Sequence, residues 1–400
     1  MTALPPSAFA VALSLLPGST HRRLRALLGG RSPAPDPAEV WRATCERRLL
    51  DVRPELVDAL GRDARAMTNR WSECAKSIDP HQTWAELQRD AVGVWLFGDD
   101  DFPAALTDDP DPPALLFWKG DPSALHRPAA AIVGTRRCTS YGVDVAREFG
   151  ADLAAAGVAV VSGLALGIDG AAHEGALVGA TGGGAPPVAV VGSGLDVVYP
   201  TRHRRLWKRV GEAGLLLSEA PPGAIPEAWR FPRRNRILAA LSGVVVVVES
   251  HERGGSLSTV RAAVERGIPV MAVPGSVRSP SSAGTNRLLV DGVAPATDVT
   301  DVLVALALEG VQVSAAQASP RTAAPDSSDL GPVESDLLAA IDWAPTATEA
   351  ILRRTGLSIV EASSGLVRLE VRGLVRKQGG WWERVGSSRF ARERDYTPPA

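Results

Sequence analysis

The sequence lacks the motifs through which proteins usually draw energy or reducing power from a bound nucleotide. It contains no GxxxxGK[ST] stretch, which argues against a P-loop ATPase. It also contains no GxGxxG turn followed by an acidic residue about 20 positions later, which argues against a dinucleotide-dependent dehydrogenase. We therefore expect a protein without a cofactor.

Cysteine is scarce: the 400 residues include only Cys45, Cys74 and Cys138. An odd number of cysteines at wide spacing, without a metal-ligand pattern, predicts neither a disulfide framework nor a metal site and is typical of a reducing compartment. No run approaches the roughly 20 apolar residues of a membrane helix. The apolar residues 8–16 follow no positive charge and continue as an amphipathic helical pattern, unlike a signal peptide. We expect a cytoplasmic protein.

Excess positive charge is also lacking, because the formal net charge is −2. A nucleic-acid partner would therefore need a local basic patch. Two segments are strongly basic, residues 202–209 (RHRRLWKR) and residues 230–236 (RFPRRNR), whereas residues 98–111 carry six aspartates.

Five apolar runs within residues 129–276 each stop at a turn rich in glycine or serine. They read AAAIVGTRR, VAVVSGLALG, VAVVGSGLD, VVVVVESHERGGS and PVMAVPGS. Short β-branched runs that alternate with helical stretches predict an α/β fold, here an extended, Rossmann-like, doubly wound parallel sheet. Because the carboxyl ends of parallel strands share one edge, we expect all five turns to line that edge.

The chain divides into five segments by pattern. Residues 1–88 predict a small helical domain, residues 89–308 the Rossmann-like sheet domain with a first strand in ALLFWKG, and residues 309–331 a flexible linker. Residues 332–386 predict three helices and a hairpin turning at two glycines, which is the winged-helix pattern, and residues 387–400 form a tail.

Both flanking domains have more than one interpretation. The LPGS turn in the N-terminal domain resembles a helix-hairpin-helix motif, or a SAM-like domain, but lacks the second glycine, so a packing role is favoured over DNA contact. The third helix of the winged-helix pattern carries Glu361, Arg368, Glu370 and Arg372 in near balance. For this helix, contact with a protein or a vestigial role is at least as well supported as recognition of DNA bases in a groove.

The predicted edge has the chemistry of an anion site. Glycines let a ligand approach backbone N–H groups, helix starts add partial positive charge, and guanidinium forks match phosphate oxygens. The candidate binding residues are Gly134, Thr135, Arg136, Arg137, Gly163, Gly194, Arg202, His203, Arg234, Asn235, Arg236, Gly254, Gly255, Ser256, Gly275 and Asn286. The alternative is a set of tight turns with solvated arginines, and for Arg204, Arg205 and Arg209 a solvated helix face is equally well supported.

Ser162, Asp169 and His173 stand in a hydrolase-like order. The nucleophile-elbow pattern GxSxG is missing, however, which argues against a hydrolytic triad. Because Asp169 and His173 are four apart on one helix, we expect them to pair with each other and orient the turn.

Taken in order, AIVGTR, SGLA.GID..AH..AL, VVGSGLDVVYP, LLSEAPPG, FPRRNRILAALS, VVVVE, GGSLST, AVPGS and GTN closely resemble the DNA-processing protein A family (DprA, or Smf). The resemblance spans roughly residues 97–298, and the flanking segments fit the family's three-part layout.

The resemblance implies a non-enzymatic protein that binds single-stranded DNA, protects incoming DNA in natural transformation, loads the RecA recombinase and dimerises through the sheet domain. It implies that Arg136 grips the DNA backbone and that Arg234, Asn235, Arg236 and the GGSLST turn complete the pocket. Thr201 stands where the family can have lysine, and His203 where asparagine is frequent, so the cation at that contact is open.

Two rival functions remain. The first is a nucleotide phosphoribohydrolase of the lysine-decarboxylase-like group, whose PGGxGTxxE motif supplies a catalytic glutamate. HERGGSLSTVRAAVE lacks that glutamate, because Glu265 stands too far along the predicted helix. The second is an adaptor whose winged helix meets a protein partner.

Overall fold

The computed structural model describes residues 3–29, 35–310, 330–341 and 345–384. The chain forms two compact units, residues 1–318 and residues 319–400. The predicted tail and nearly all of the predicted linker lie outside the described residues.

The N-terminal region is helical, as predicted. Its helices are α1 (Pro6–Ser14), α2 (His21–Leu28), α3 (Pro37–Cys45), α4 (Leu49–Val52), α5 (Leu56–Leu60), α6 (Ala64–Ala75) and α7 (Pro80–Arg89). Side chains of Thr20, Asp36 and Asp79 cap α2, α3 and α7 by accepting a backbone N–H of the first turn. Apolar residues of these helices share one hydrophobic core with a face of the neighbouring sheet.

The central sheet has nine strands in the order β1-β2-β6-β5-β4-β3-β7-β8-β9. The strands are β1 (Gly93–Leu96), β2 (Leu115–Gly120), β3 (Ala129–Val133), β4 (Ala159–Ser162), β5 (Val188–Val191), β6 (Leu215–Ser218), β7 (Val244–Val247), β8 (Val270–Ala272) and β9 (Ala294–Pro295). The seven strands from β3 onward are parallel, which confirms the predicted fold class, whereas β1 and β2 add an antiparallel edge. The strand predicted to be first is therefore second, because the short β1 precedes it.

Helices cover both faces of the sheet. They are α8 (Ala104–Thr107), α9 (Ser140–Ala155), α10 (Ile168–Gly179), α11 (Arg204–Ala213), α12 (Arg230–Ala240), α13 (Leu257–Val264), α14 (Ala283–Val290) and α15 (Val299–Leu308). Alternate strand residues enter opposite cores: Ile132 packs with α9 and α10, whereas Val133 packs with α12 and α13. Burial on both faces explains why the strands are continuous apolar runs without alternation.

The second unit is a small winged helix. It contains α16 (Pro332–Ala340), β10 (Thr346–Ala347), α17 (Thr348–Thr355), α18 (Ile359–Val371), β11 (Val375–Gln378) and β12 (Trp381–Arg384). The hairpin turns at Gly379 and Gly380, both at positive φ, as the sequence predicts. Its separate core includes Leu337, Leu366 and Trp382.

Candidate functional site

The carboxyl ends of the parallel strands meet at one edge of the sheet, where their following loops lie side by side. The strand order changes direction between β3 and β7, because β4 to β6 follow on one side of β3 and β7 to β9 on the other. Such a switch point is where doubly wound sheets usually hold a ligand, often at the start of the adjacent helix.

A side chain of the protein itself occupies that position. Glu249, which is 1% exposed, follows β7 and reaches the start of α9. Its carboxylate accepts hydrogen bonds from the Thr139 backbone N–H (2.8 Å) and the Thr139 hydroxyl (2.6 Å). The partial positive charge at the start of α9 is therefore already neutralised by the Glu249 carboxylate.

An open cleft lies next to this position on the same edge of the sheet. It is formed by the loops after β3, β4 and β5 and by the start of α12. We call it the central cleft, and its volume is about 400 Å³ when the solvent at its open mouth is counted. Its lining residues are Arg136, Gly163, Ala165, Leu166, Val191, Gly192, Ser193, Tyr199, Pro200, Phe231 and Arg234.

Arg234 is the buried cation of the central cleft. It is 7% exposed, and its Nε and Nη1 have no hydrogen-bond partner among the described residues. Its guanidinium lies against the backbone of Gly163, where a Cβ would stand 1.8 Å from Nη1. Burial lowers the pKa of Arg234, but a guanidinium stays protonated at neutral pH. An unsatisfied buried cation that lines a cleft is suited to bind an anion.

Asp169 lies beneath this cation at the start of α10. Burial raises the pKa of Asp169, although the charges of Arg234 and Arg136 and hydrogen bonds from the Ala165 and Gly163 backbone favour its ionised form. No ion pair of 4.0 Å or less joins Asp169 to Arg234 among the described side chains, so the guanidinium is left available.

The expected pairing of Asp169 with His173 is wrong. His173 is fully buried, and neither ring nitrogen bonds to Asp169. Burial lowers the pKa of His173 to about 3. Asp169 interacts instead with the Ala165 and Gly163 backbone of its own strand-to-helix turn and with two arginines.

Arg136 and two aromatic rings form the exposed wall of the central cleft. The Arg136 guanidinium lies over the Phe231 ring, 5.0 Å from its centroid, and the Tyr199 ring is 5.6 Å from the same ring. Tyr199 is 36% exposed. Flat rings beside two guanidinium groups can stack unpaired bases while the cations hold phosphates.

The rest of the GTRR turn shapes this wall. Thr135 is buried, and its hydroxyl accepts the Arg137 backbone N–H at 3.2 Å. Gly134 packs tightly on Ile168 and the Glu249 carbonyl, where no Cβ would fit. Arg137 is exposed but does not line the cleft.

The predicted residues after β5 divide between the surface and the interior. Arg202 is exposed beside the central cleft, on the short 3-10 turn Thr201–His203. His203 bonds through Nδ1 to the Leu164 carbonyl at 3.0 Å and so holds the neighbouring loop. The Gly194 amide donates to the Ala224 carbonyl at 2.9 Å, so it is not a bare amide as expected.

Arg236 and Asn235 do not line the central cleft. Arg236 is 8% exposed and forms ion pairs with Asp111 (3.0 Å) and Glu219 (2.6 Å), so its expected contact with a ligand is contradicted by two internal carboxylates. Asn235 donates from Nδ2 to the Ser258 hydroxyl at 2.6 Å, which ties α12 to the GGSLST turn.

The predicted residues after β7 and β8 form a separate group. Asn286 bonds both to the Gly275 N–H (3.2 Å) and to its carbonyl (3.1 Å). The Ser256 hydroxyl donates to that of Ser250 at 2.9 Å, and Gly254 packs on Ser250, while Gly255 is exposed. β8 is four strand positions from β5, or roughly 19 Å at the usual strand spacing. This group extends the edge and does not line the cleft.

Sequence reasoning missed Phe231, Tyr199, Gly192 and Ser193 as lining residues. The sequence held a signal for the aromatic pair, since Phe231 adjoins the arginine cluster and Tyr199 ends the glycine turn after β5. Their meeting depends on a fold contact between segments 32 residues apart in sequence, which local pattern does not show.

The described ranges contain no helix long and apolar enough to cross a membrane. Nor do they bring together three or more His, Cys, Asp or Glu side chains in a group that could hold a metal ion.

The doubly wound sheet, its cleft with an unsatisfied guanidinium and the winged-helix unit define the class of this α/β protein. The family described as DNA recombination-mediator protein A matches residues 93–307, and the DprA winged helix domain matches residues 320–380. The chain belongs to this DNA-processing protein A family, which confirms the resemblance of its motifs.

Individual relatives agree. Protein Smf of Escherichia coli is 36% identical over 312 residues, or 78% of this chain and 81% of that protein. DNA processing protein DprA of Streptococcus pneumoniae is 42% identical over 205 residues, or 51% of this chain and 71% of that protein. The X-ray structure of that species' DprA matches with a TM-score of 0.60 at 32% identity, covering 76% of this chain and 98% of that one.

Proposed function

We propose that this protein binds single-stranded DNA in the central cleft, protects incoming DNA during natural transformation and loads the RecA recombinase onto it. The observation that carries the proposal is the buried, unsatisfied guanidinium of Arg234 beside Arg136. Two cations at the carboxyl edge of the sheet can bind the phosphates of the DNA. Membership in a family described as a recombination mediator supports the proposed protection of DNA and loading of RecA.

The aromatic wall favours a single strand over a duplex. In a duplex the bases are stacked on one another, so only an unpaired base can stack on the Tyr199 and Phe231 rings. Few side chains in the cleft could form hydrogen bonds that distinguish one base from another, because most of the lining is backbone, apolar or cationic. We therefore expect weak sequence preference and strong salt dependence.

We also propose that the protein is not an enzyme and acts in the cytoplasm. The rival phosphoribohydrolase needs a glutamate beside its glycine turn, but Glu265 stands just past the end of α13, about 12 Å from the GGS turn at the usual helical rise. The Glu265 side chain is 74% exposed there. The free Cys45, Cys74 and Cys138 agree with a reducing compartment.

The winged helix favours contact with a protein. Val360, Val367 and Val371 on α18 are 71%, 54% and 68% exposed. They recur at helical spacing on the outward face, where a groove-reading helix would carry hydrogen-bonding side chains. We propose that this face meets a protein partner such as the recombinase.

The test of DNA binding is the salt dependence of affinity in Arg136→Ala and in the parent. We expect Arg136→Ala to weaken binding to an oligothymidylate about 5- to 100-fold and to reduce the slope of log K against log salt by about one. Fluorescence anisotropy across a salt series measures both quantities.

Arg287→Ala is the matched control, because Arg287 is an exposed arginine of α14 that pairs with Asp291 outside the cleft. It should bind like the parent. Unchanged affinity in Arg136→Ala, or binding of the parent that does not respond to salt, would refute the proposal.

A further inference from the structure

A second groove adjoins the central cleft on the other side of α12, against the N-terminal helical region. We call it the side groove. Its distinctive lining residues are Thr20, His21, Glu219, Trp229, Arg230 and Arg233, and it shares Val191, Gly192 and Arg234 with the central cleft. The two depressions are therefore adjacent, and the side groove has a volume of about 440 Å³ when the solvent at its open mouth is counted.

An exposed tryptophan lies within cation–π distance of two arginines at the rim of this groove. Trp229 is 43% exposed, and the guanidinium groups of Arg230 and Arg233 lie 4.5 Å and 5.6 Å from its ring centroid. A large exposed ring costs solvation free energy when nothing covers it. Flanking guanidiniums hold the indole in place and add positive charge for a phosphate on either side of a stacked base.

The walls of the groove contain buried polar atoms that the protein does not satisfy. His21 is 7% exposed and bonds through Nε2 to Asp111 at 2.8 Å, whereas its Nδ1 has no partner among the described residues. Nε and Nη1 of Arg234, which the groove shares with the cleft, also lack partners there. Buried polar atoms in native proteins usually have partners, so these point to a polar ligand.

The charge in the groove favours an anion. Arg230, Arg233 and Arg234 line it with one carboxylate, Glu219. Arg230 pairs with Glu227 at 3.0 Å, so Arg233 and Arg234 supply most of the positive charge. Glu219 pairs with Arg236 at 2.6 Å, and burial raises the pKa of Glu219. Both effects reduce its repulsion of a phosphate.

We propose that the side groove continues the path of single-stranded DNA from the central cleft to α2 of the N-terminal helical region, with Trp229 stacking a base. This inference rests on the proposed function, because it extends the same binding path. It gives the helical region a direct DNA contact through His21 and the start of α2.

The experiment measures the affinity of the full chain for oligothymidylates from about 4 to about 16 nucleotides long. A short oligomer can occupy the central cleft alone, whereas a longer one also reaches Trp229. We expect Trp229→Ala to bind the shortest oligomers like the parent and the longer ones about 5- to 150-fold more weakly, the range for one stacked base. Trp381→Ala, which removes an exposed tryptophan of the winged helix, is the control and should match the parent.

Photocrosslinking locates the contact independently. A longer oligomer with 5-iododeoxyuridine in its distal half should crosslink to Trp229 in the parent. Trypsin cleaves after Arg230 and so separates Trp229 from Phe231 of the central cleft, which lets mass spectrometry tell the two sites apart.

Equal affinity of Trp229→Ala and the parent at every length overturns the side-groove path. Equal weakening at every length also overturns it, because Trp229 would then act on the cleft or the fold. In both cases weaker binding by Arg136→Ala keeps the proposed function intact, so the two failures are distinguishable.

Discussion

Arg234 and Arg236 are two positions apart in α12, yet the structure uses them in opposite ways. Residues two apart lie on different faces of a helix, so one side chain enters the central cleft and the other enters the interior. Arg236 is neutralised by Asp111 and Glu219. Arg234 lies against the backbone of Gly163. The charge of Asp169 acts on it, but no ion pair within 4.0 Å joins them among the described side chains, and its Nε and Nη1 have no partner there. One cation therefore stabilises the fold while the other is left for a ligand.

Gly163→Ala should displace the guanidinium of Arg234 from the central cleft while the protein keeps its positive charge. The added methyl group would stand 1.8 Å from Arg234 Nη1, so the guanidinium must move. Gly163 does not have a positive φ, so the backbone tolerates alanine. We expect single-stranded DNA affinity to fall about tenfold, a loss of about 1.4 kcal/mol, as measured by anisotropy.

Gly29→Ala is the control for this change. A Cβ at Gly29 meets nothing closer than 3.4 Å, which is ordinary contact. It should leave affinity unchanged. Full affinity in Gly163→Ala, with the circular dichroism spectrum of the parent, would show that the position of Arg234 does not matter for binding.

His173 makes stability depend on pH. Burial lowers the pKa of His173 in the folded protein to about 3, from the usual 6.5 of a histidine. The unfolded chain therefore binds an extra proton between pH 6.5 and 3, and the free energy of unfolding falls as pH drops through that window. The full effect is on the order of 4 kcal/mol, reached near pH 3. The raised pKa of Asp169 acts in the opposite direction, so the variant must be compared with the parent.

His173→Leu should lose this component. We expect urea unfolding to give a shallower fall in the free energy of unfolding between pH 6.5 and pH 4.5 than in the parent. His81→Leu, at an exposed position of α7, should keep the slope of the parent. Identical slopes in parent and His173→Leu would mean that His173 titrates normally in the fold.

At the scale of elements, Glu249 decides which part of the sheet edge is open. It follows β7, accepts two hydrogen bonds from Thr139 and lies so close to α9 that Gly142 has no room for a Cβ. The usual ligand position at the switch point is thus filled by a carboxylate of the chain. The open anion site lies instead between the loops after β3, β4 and β5 and α12.

Glu249→Ala should destabilise the fold and create an anion site. Loss of the carboxylate leaves the Thr139 N–H unsatisfied, which lowers the free energy of unfolding by about 2 to 3 kcal/mol. The exposed start of α9 should then bind inorganic phosphate. We expect added phosphate to raise the melting temperature of the variant more than that of the parent.

Glu252→Ala, at an exposed residue of the same loop, is the comparison for that experiment and should respond to phosphate like the parent. An equal response in all three proteins would mean that Glu249 does not stand in for a ligand at α9.

The two edge strands of the central sheet differ in how far helices cover them. The β1 end is covered by the N-terminal helices, which share its core. The β9 end is a two-residue strand, and the neighbouring α13, α14 and α15 expose Val264, Val290 and Leu308 at 66%, 77% and 82%. Large exposed apolar side chains on the helices near a short edge strand can contribute to an interaction surface. We propose that this end forms the homodimer that the family resemblance implies.

Val290→Asp should weaken that dimer. In a two-fold interface the change places two unpaired carboxylates at the contact, so we expect the dimer dissociation constant to rise more than about tenfold. Sedimentation equilibrium gives the constant, with Val57→Asp in the helical region as the control. A parent that sediments as a single chain at micromolar concentration would remove the proposal.

Much of the architecture could be predicted from the sequence because its signals are local. The apolar runs, the glycine turns and the diglycine hairpin each show in a few consecutive residues. The order of the strands in the sheet was not predicted, because crossover rules only narrow the possible orders. The antiparallel β1 could not be predicted so well. It has four residues, and its pairing with β2 depends on the residues across from it.

The candidate site was less predictable than the fold. The sequence marked Arg136, Arg234 and Arg236 as equal cations, since nothing in RFPRRNR shows that Asp111 and Glu219 lie beside one of them. Gly194 gave a similar error, because the Ala224 carbonyl that takes its amide belongs to another loop.

Local sequence signals were enough to identify the family, the parallel sheet and the edge where the glycine turns gather, because backbone preference and burial pattern act over short distances. Which cations stay free, which amides are satisfied and where the cleft opens became visible in the folded molecule. Those outcomes depend on which carboxylates, carbonyls and rings from distant segments come within a few ångströms of each side chain.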